Sequence, residues 1–446
     1  MNLASSVPDK VVMISDYATE RGGASRLALL LALALQGRNV PVSVFCGDHG
    51  AQSQSSEIEF TGISGTSLLE QGKASAMLRG IWNRSARDTL ARVVRQTDTP
   101  RTIYHVHGFL QTLSPAIFAA LHPVRSRVVI HAHDYFLACP NGAFFDYRSG
   151  TECGRTPISN ACIRRHCDKR SYPQKVWRLV RQVVQNRLTA DFLTQSRIIL
   201  IHERMLSYLE RGGRQIAKAT TIRNPAQPFL STPAQPRSRL AFLFVGDIHA
   251  YKGVFDLAEA ARQAQVPLWF AGEGVDRPGL QDRFPEFHYA GWQDRAGLAA
   301  LARQVRAVVV PTLGPEPFGL TLVEALACGL PVIVSDRALL APEIEAAGAG
   351  LTFRAGESGD LARVLSRVAM DDSLVERMSR NALSAGNQFA KSTEEWCAEI
   401  MQVYSDVLCS RFAAVSFSDN PDPISDSIEP ETATVSDSPH SLARPR

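Results

Sequence analysis

Two glutamates with seven residues between them, Glu316 and Glu324, mark the stretch of this chain whose residue types could do chemistry. Glu324 follows Leu320 and Thr321 by four and three positions, so on a helix the three share a face, and helical side chains lean toward the N-terminus. Gly319, just before them, lets a ligand come close to the backbone. A helix start has unpaired backbone N–H groups and the positive end of the dipole, which suits a phosphate. The Glu324 carboxylate overhangs that point. It would repel a phosphate, so its sensible partner is a pair of hydroxyls such as those of a ribose. Glu316, in the preceding loop, is placed to hold hydroxyls of whatever the phosphate carries.

The flanking pattern says which elements must position these residues. Residues 307–311 form a continuous apolar run of the kind buried in a parallel sheet, and a Gly/Pro-rich loop leaves its carboxyl end. Residues 320–328 read as a short helix, closed by Gly329 and Pro331 before a second buried strand at 331–334. The same alternation opens the chain: a strand at 11–15, a loop with Gly22-Gly23, and a helix at 26–36. Further strands fall at 40–46, 103–107, 128–134 and 197–201. His105 and His107 share one strand face, and His131 and His133 repeat this on the next strand, at the carboxyl ends where α/β folds keep their ligand crevice. Residues 47–100 yield only polar loops and one helix near 86–96.

Residues 226–239, rich in Pro, Ser and Gln, read as a boundary. Beyond it the pattern restarts with strands at 240–245 and 266–271 around a helix at 253–263, then a helical stretch at 361–388 and a long helix at 393–412. The end of the chain is rich in Ser, Pro and Asp with few apolar residues and is expected to be disordered.

With 446 residues the chain is too long for one typical core. Its 45% apolar and 21% charged residues fit an ordinary soluble protein, and a formal charge of +4 demands no nucleic acid. Only seven of the 48 basic residues are lysines, which draws notice to Lys252. The longest apolar stretch, 27–35, is too short for a membrane span, and residues 1–10 lack a charged start followed by an apolar core; a cytoplasmic protein is expected.

Cys139, Cys153, Cys162 and Cys167 cluster in sequence and four thiolates could hold a structural zinc, but no C-x2-C knuckle is present, so the favoured reading is a loosely ordered reduced insert at about 139–170. From 164 to 187, eight basic residues interleave with Trp177, Leu179, Val180, Val183 and Val184. Such a helix can lie on an anionic membrane, or be an outer helix packed by its apolar side, which is the favoured reading.

The run E-P-F-G-L-x-x-x-E-A-x-A-x-G-x-P-V from Glu316 to Val332 resembles the donor site of family 4 retaining glycosyltransferases of the GT-B fold. The resemblance covers residues 11 to about 412. It implies two doubly wound Rossmann-like α/β domains facing across a cleft: an acceptor-side domain at 1–227, a nucleotide-sugar domain at 228–392 and a helix at 393–412 crossing back to the first; composition adds the disordered tail, at 413–446.

Residue by residue, the resemblance implies that Glu324 binds ribose, Glu316 the transferred sugar, and Phe318, Gly319 and Leu320 the phosphate through backbone amides. Lys252, in Gly246-Asp247-Ile248-His249-Ala250-Tyr251-Lys252-Gly253, would neutralise the diphosphate, and Gly23 and Arg26 would sit at the donor phosphate. His133, in His133-Asp134-Tyr135 before Cys139-Pro140, would face the donor sugar as a catalytic residue beside Glu316. Two positions depart from the pattern: Asp247 stands where the family has arginine, and Ser25 where it often has glutamate. With one phosphate cation missing, another such as Arg26 or Arg295 would be needed.

Expected partners are a nucleotide-diphosphate sugar and a glycan or lipid-linked acceptor, with no cofactor and, as no Asp-x-Asp occurs, no metal. The expected setting is cell-surface polysaccharide or glycolipid assembly at the inner face of the membrane. Asp247 and Ser25 motivate a rival reading, a non-catalytic nucleotide-sugar-binding or scaffold protein of the same fold. A sugar-nucleotide epimerase is disfavoured by the register of the two glutamates.

Overall fold

In a computed structural model that describes residues 7–48, 58–63 and 73–418, the apolar runs assemble into two parallel sheets. The first contains β1 (Lys10–Ser15), β2 (Val42–Cys46), β3 (Glu59–Gly62), β4 (Thr102–Val106) and β5 (Val128–Ala132). A small antiparallel ribbon, β6 (Phe145–Asp146) with β7 (Thr151–Glu152), interrupts it before β8 (Arg197–Leu200) and β9 (Ala219–Thr221). The strand order is β3-β2-β1-β4-β5-β8-β9.

The second sheet contains β10 (Ala241–Val245), β11 (Leu268–Ala271), β12 (His288–Gly291), β13 (Val305–Val310), β14 (Val332–Ser335) and β15 (Gly350–Phe353), in the order β12-β11-β10-β13-β14-β15. In each sheet the order reverses beside the first strand, β1 or β10. That reversal opens a crevice at the carboxyl ends of the strands, where doubly wound sheets bind ligands. The expected α/β class with two doubly wound sheets is what the chain adopts.

The apolar faces are covered by helices. The helix Thr393–Ser418 sets Trp396, Cys397, Ile400, Val403, Tyr404, Val407 and Leu408 at three- and four-residue spacing. This face packs with Val11, Met13, Leu27, Leu31 and Ile103, so this helix returns to the first sheet. The helix runs to Ser418, past the 412 expected from the sequence; residues 419–446, the rest of the expected disordered tail, lie outside the described residues. The sparse region 47–100 holds β3 and a helix Lys73–Ile81 that its polar composition concealed, besides the expected helix, Arg84–Thr97.

The basic stretch needs a larger correction. The helix Tyr172–Leu188 is capped by Ser171, and its buried face is mostly polar: Lys175, Arg181, Gln182 and Gln185 are buried with Leu179, whereas Val176 and Val180 are exposed. The expected outer helix packed by apolar residues is therefore only partly what forms: Leu179 packs inward, but most of the inner face is polar. The reason is that Arg181 faces a cleft, Lys175 faces the thiols of the insert, and Gln182 and Gln185 donate to the carbonyls of Leu137 and Phe136.

Candidate functional site

The cleft, about 810 Å³, is lined from the first half of the chain by His133, Asp134, Tyr135, the insert and the helix Tyr172–Leu188. From the second half it is lined by Tyr251, Lys252 and the loop carrying Thr312, Gly314 and Glu316. Glu316 reaches this loop because β13 ends at Val310, and the chain must turn through Pro311, Pro315 and Pro317 before the helix Leu320–Leu326. Gly319, at φ 72°, makes the final turn into that helix. The loop of Lys252 is pinned beside it, with Leu313 N donating to Tyr251 O at 3.2 Å.

Lys252 Nζ lies 2.6 Å from Glu316 Oε2. Burial works against the lysine's charge, but Glu316 beside it more than compensates and holds the ammonium above its ordinary range. Glu324 is nearly buried and meets two arginines: Arg26 at 3.5 Å and Arg295 at 3.4 Å. Burial pushes its carboxyl up, against the pull of both guanidinium groups. Arg26 also donates to Gln227 Oε1 at 2.7 Å, and Arg295 to Gln227 O and Pro228 O at 3.1 and 2.8 Å, so the boundary segment is knitted to both sides. Gly23 completes the contact: a Cβ there would stand 3.4 Å from Leu320 Cδ1.

These distances bring Gly23, Arg26, Leu320 and Glu324 into one group and Lys252 with Glu316 into another. Phe318, between the two glutamates, is buried by its side chain. Asp247 is exposed, and Arg26 and Arg295, the candidate replacement cations, are already beside Glu324. Four further cations on the cleft wall, Lys169, Arg170, Arg178 and Arg181, gave no motif signal. Lys169 and Arg170 are exposed before the helix Tyr172–Leu188 and Arg178 is half-buried on it; the burial of Arg181 on the face turned to the cleft shows only once the fold is known.

His133 belongs to a ladder of four imidazoles on β4, β5 and the residues after them. His107 Nδ1 and His133 Nε2 are 3.0 Å apart, and His105 Nδ1 is 2.6 Å from the Tyr404 hydroxyl on the crossing helix. Burial drives His105, His107 and His131 well below the usual histidine range and His133 down to about 3, so all four are neutral at physiological pH. Asp134, next in the chain, accepts from Phe136 N at 2.8 Å; it lines the cleft with its side chain still exposed, and desolvation there pushes its carboxyl up to about 6. The ring nitrogens of His105, His107 and His131 lie within 4.8 Å of one another, the spacing of a potential metal cluster.

The cysteines do not form such a cluster among the described residues. Instead Lys175 Nζ, fully buried, donates to Cys167 Sγ at 3.0 Å and Cys162 Sγ at 3.5 Å, so an ammonium occupies the place between them. All four thiols are free.

Residues 232–384 match the sequence family described as Glycosyl transferases group 1. Among curated relatives, a phosphatidyl-myo-inositol mannosyltransferase of Mycobacterium leprae is 30% identical over 41% of this chain and 46% of its own length. A glycogen synthase of Mycobacterium tuberculosis is 28% identical over 57% of this chain and 63% of its own. The matches thus span about half to five-eighths of these relatives. Among solved structures, a sucrose-phosphate synthase from Thermosynechococcus elongatus superposes with a TM-score of 0.67 at 16% identity, covering 91% of this chain and 100% of the other. Anabaena HepE in complex with UDP does so at 0.62 and 16%, covering 89% and 100%. By sequence over residues 232–384, and by fold over about nine-tenths of its length, the chain is similar to the group 1 glycosyl transferases and shares their GT-B architecture.

Proposed function

We propose that this protein is a glycosyltransferase that moves a sugar from a nucleotide-diphosphate sugar to an acceptor hydroxyl, with retention of anomeric configuration. The observation that carries this reading is the pairing of acids suited to hydroxyls with cations suited to phosphate: Glu316 with Lys252 at 2.6 Å, and Glu324 between Arg26 and Arg295. Without a donor these groups neutralise one another. A bound donor exchanges the partners: its diphosphate takes Lys252, Arg26 and Arg295, its ribose takes Glu324, and its sugar takes Glu316. Amides at the start of the helix Leu320–Leu326, with Phe318 and Gly319 before it, add dipoles to the phosphate. Arg26 and Arg295 then stand in for the arginine replaced by Asp247.

Cations and amide dipoles around the diphosphate stabilise it as a leaving group, and the sugar acquires oxocarbenium character. The acceptor hydroxyl attacks from the face the diphosphate leaves, and a diphosphate oxygen takes its proton, so no carboxylate nucleophile is used. His133, neutral, contacts a sugar hydroxyl near the reacting carbon. In this reading residues 1–227 hold the acceptor, residues 228–392 the donor, and the product enters polysaccharide or glycolipid assembly on the cytoplasmic side. No helix among the described residues is long and apolar enough to cross a membrane, so contact with one would be peripheral.

Calorimetric titration with UDP, GDP, ADP and their sugar conjugates tests the reading, beside Glu324→Ala and Lys252→Ala. One nucleotide is expected to bind, with loss in both variants, and slow donor hydrolysis in the same sample marks a transferase. Binding with neither hydrolysis nor transfer to any acceptor tried would favour a scaffold; no binding at all would overturn the donor site.

A further inference from the structure

The wall built by the insert and the helix Tyr172–Leu188 is cationic, and most of its charges have an evident role except one. Arg178 is paired with Asp168 at 2.9 Å. Lys169 and Arg170 are exposed at the rim. Arg181 is only 5% exposed, yet it makes no ion pair among the described residues. Its guanidinium donates to Leu110 O at 3.3 Å and lies 4.9 Å from the Trp177 ring centroid and 5.5 Å from that of Phe136. Burial and the neighbouring Arg178 pull its pKa down to about 9, with Asp16, Asp134 and Asp168 offsetting only part of this.

A buried cation with no carboxylate in direct contact, only acids further off that offset part of its desolvation, is costly and is relieved by an anion that can reach it. The planar guanidinium fork matches a phosphate or carboxylate through two parallel hydrogen bonds. Arg181 faces a cleft wide enough for a sugar-sized ligand, and Trp177, Phe136 and Tyr147 line the same wall with flat apolar surface. All these residues come from the half of the chain that carries the first sheet, whereas Lys252, Glu316 and Glu324 come from the other.

We infer that this wall is an anion subsite for the acceptor: the acceptor carries a phosphate or carboxylate held by Arg181, with Lys169 and Arg170 at the rim, while its sugar or apolar portion lies on Trp177, Phe136 and Tyr147. Calling the ligand the acceptor rests on the glycosyltransferase reading; the anion subsite itself does not. The insert and the polar inner face of the helix then have one purpose, to present a buried guanidinium to the cleft.

The test titrates the full chain with inorganic phosphate, glycerol 1-phosphate and glucuronate, with glycerol and glucose as neutral controls, with and without saturating nucleotide. One equivalent of an anionic probe is expected to bind, the neutral controls not, and the anion to remain bound beside the nucleotide. Whether the phosphates or glucuronate bind tells the source of the charge. Arg181→Met is expected to weaken binding about 10-fold or more, since a charge-assisted hydrogen-bond pair is lost, without lowering Tm, since a buried unpaired charge is removed. Arg181→Lys keeps the charge and loses the fork, and is expected to weaken binding also. Anion binding equal in wild type and both variants, or no anion binding, overturns the subsite. Displacement of the anion by nucleotide, with weaker nucleotide binding in Arg181→Met, overturns the acceptor assignment and gives these cations to the donor. If no nucleotide binds, phosphate titration still reads the subsite directly, so the two readings fail separately.

Discussion

Arg26 donates to Glu324 across 298 positions of sequence, at 3.5 Å, and so links the Gly-Gly loop of the first sheet to the motif helix of the second. The acid is nearly buried, and its two arginine partners keep side-chain exposures of 30% and 47%. A nucleotide sugar can therefore draw the arginines away without stranding buried cations.

Glu324→Gln follows from this. Removing the acid is expected to weaken nucleotide-sugar binding about 10-fold to 100-fold, the value of one or two charge-assisted hydrogen bonds to hydroxyls. Tm is expected to move little, because Arg26 and Arg295 regain water where they already touch it. Calorimetry and thermal unfolding on the same sample check both statements.

Asp134 gives the site a pH dependence. Its folded carboxyl titrates at about 6 against an ordinary 3.8, so the folded state binds the proton more tightly between those values. Its contribution to stability is therefore greatest below 3.8 and is lost as pH rises through about 6. In the proposed reading, the same ionisation adds a negative charge to the cleft that takes the diphosphate. Nucleotide-sugar affinity is expected to fall a few-fold, roughly 3- to 10-fold, as pH rises from 5 to 7. Asp134→Asn is expected to abolish that slope; an unchanged slope would remove Asp134 from the donor's surroundings.

His133 is expected to stay neutral over the working range, since burial holds it at about 3. Its ring nitrogens should show no titration between about pH 5 and 8 by NMR, far from the ordinary value near 6.5. His133→Ala is expected to lower kcat about 10-fold with a smaller change in KM, the signature of a contact formed mainly in the transition state. Equal loss in both would make it a ground-state contact.

Gly253 supports the Lys252 loop by its lack of a side chain. It sits at φ 75°, and a Cβ there would fall 1.9 Å from Pro311 O. Gly253→Ala is expected to cost about 1–3 kcal/mol or more of stability, measured by urea unfolding, because neither the backbone conformation nor the neighbouring carbonyl can yield cheaply. Donor binding should weaken with it, since the loop carries Lys252.

Much of the second half was legible from sequence because its signals are local. The β13 and β14 runs, the Gly319 turn and the two glutamates lie within 32 residues of chain, Val305 to Asp336, and their mutual placement follows from one strand–loop–helix–strand unit. The pairing of Lys252 with Glu316 needed only the neighbouring β10 to lie beside β13, as parallel topology favours.

The sequence by itself thus determined the α/β class, the position of the motif helix and the residue types at the cleft, since these depend on periodicity and on spacing along one segment. Tertiary structure alone decided which charges are neutralised. Arg26 and Arg295 turn to Glu324, Lys175 turns to the thiols of Cys162 and Cys167, and Arg181 is left buried and unpaired on a helix whose apolar residues Val176 and Val180 face outward. Amphipathic pattern assigns a helix's inner face by assuming a dry core. Here the inner face meets a cleft, and a polar wall satisfies it, which no pattern along the helix itself could reveal.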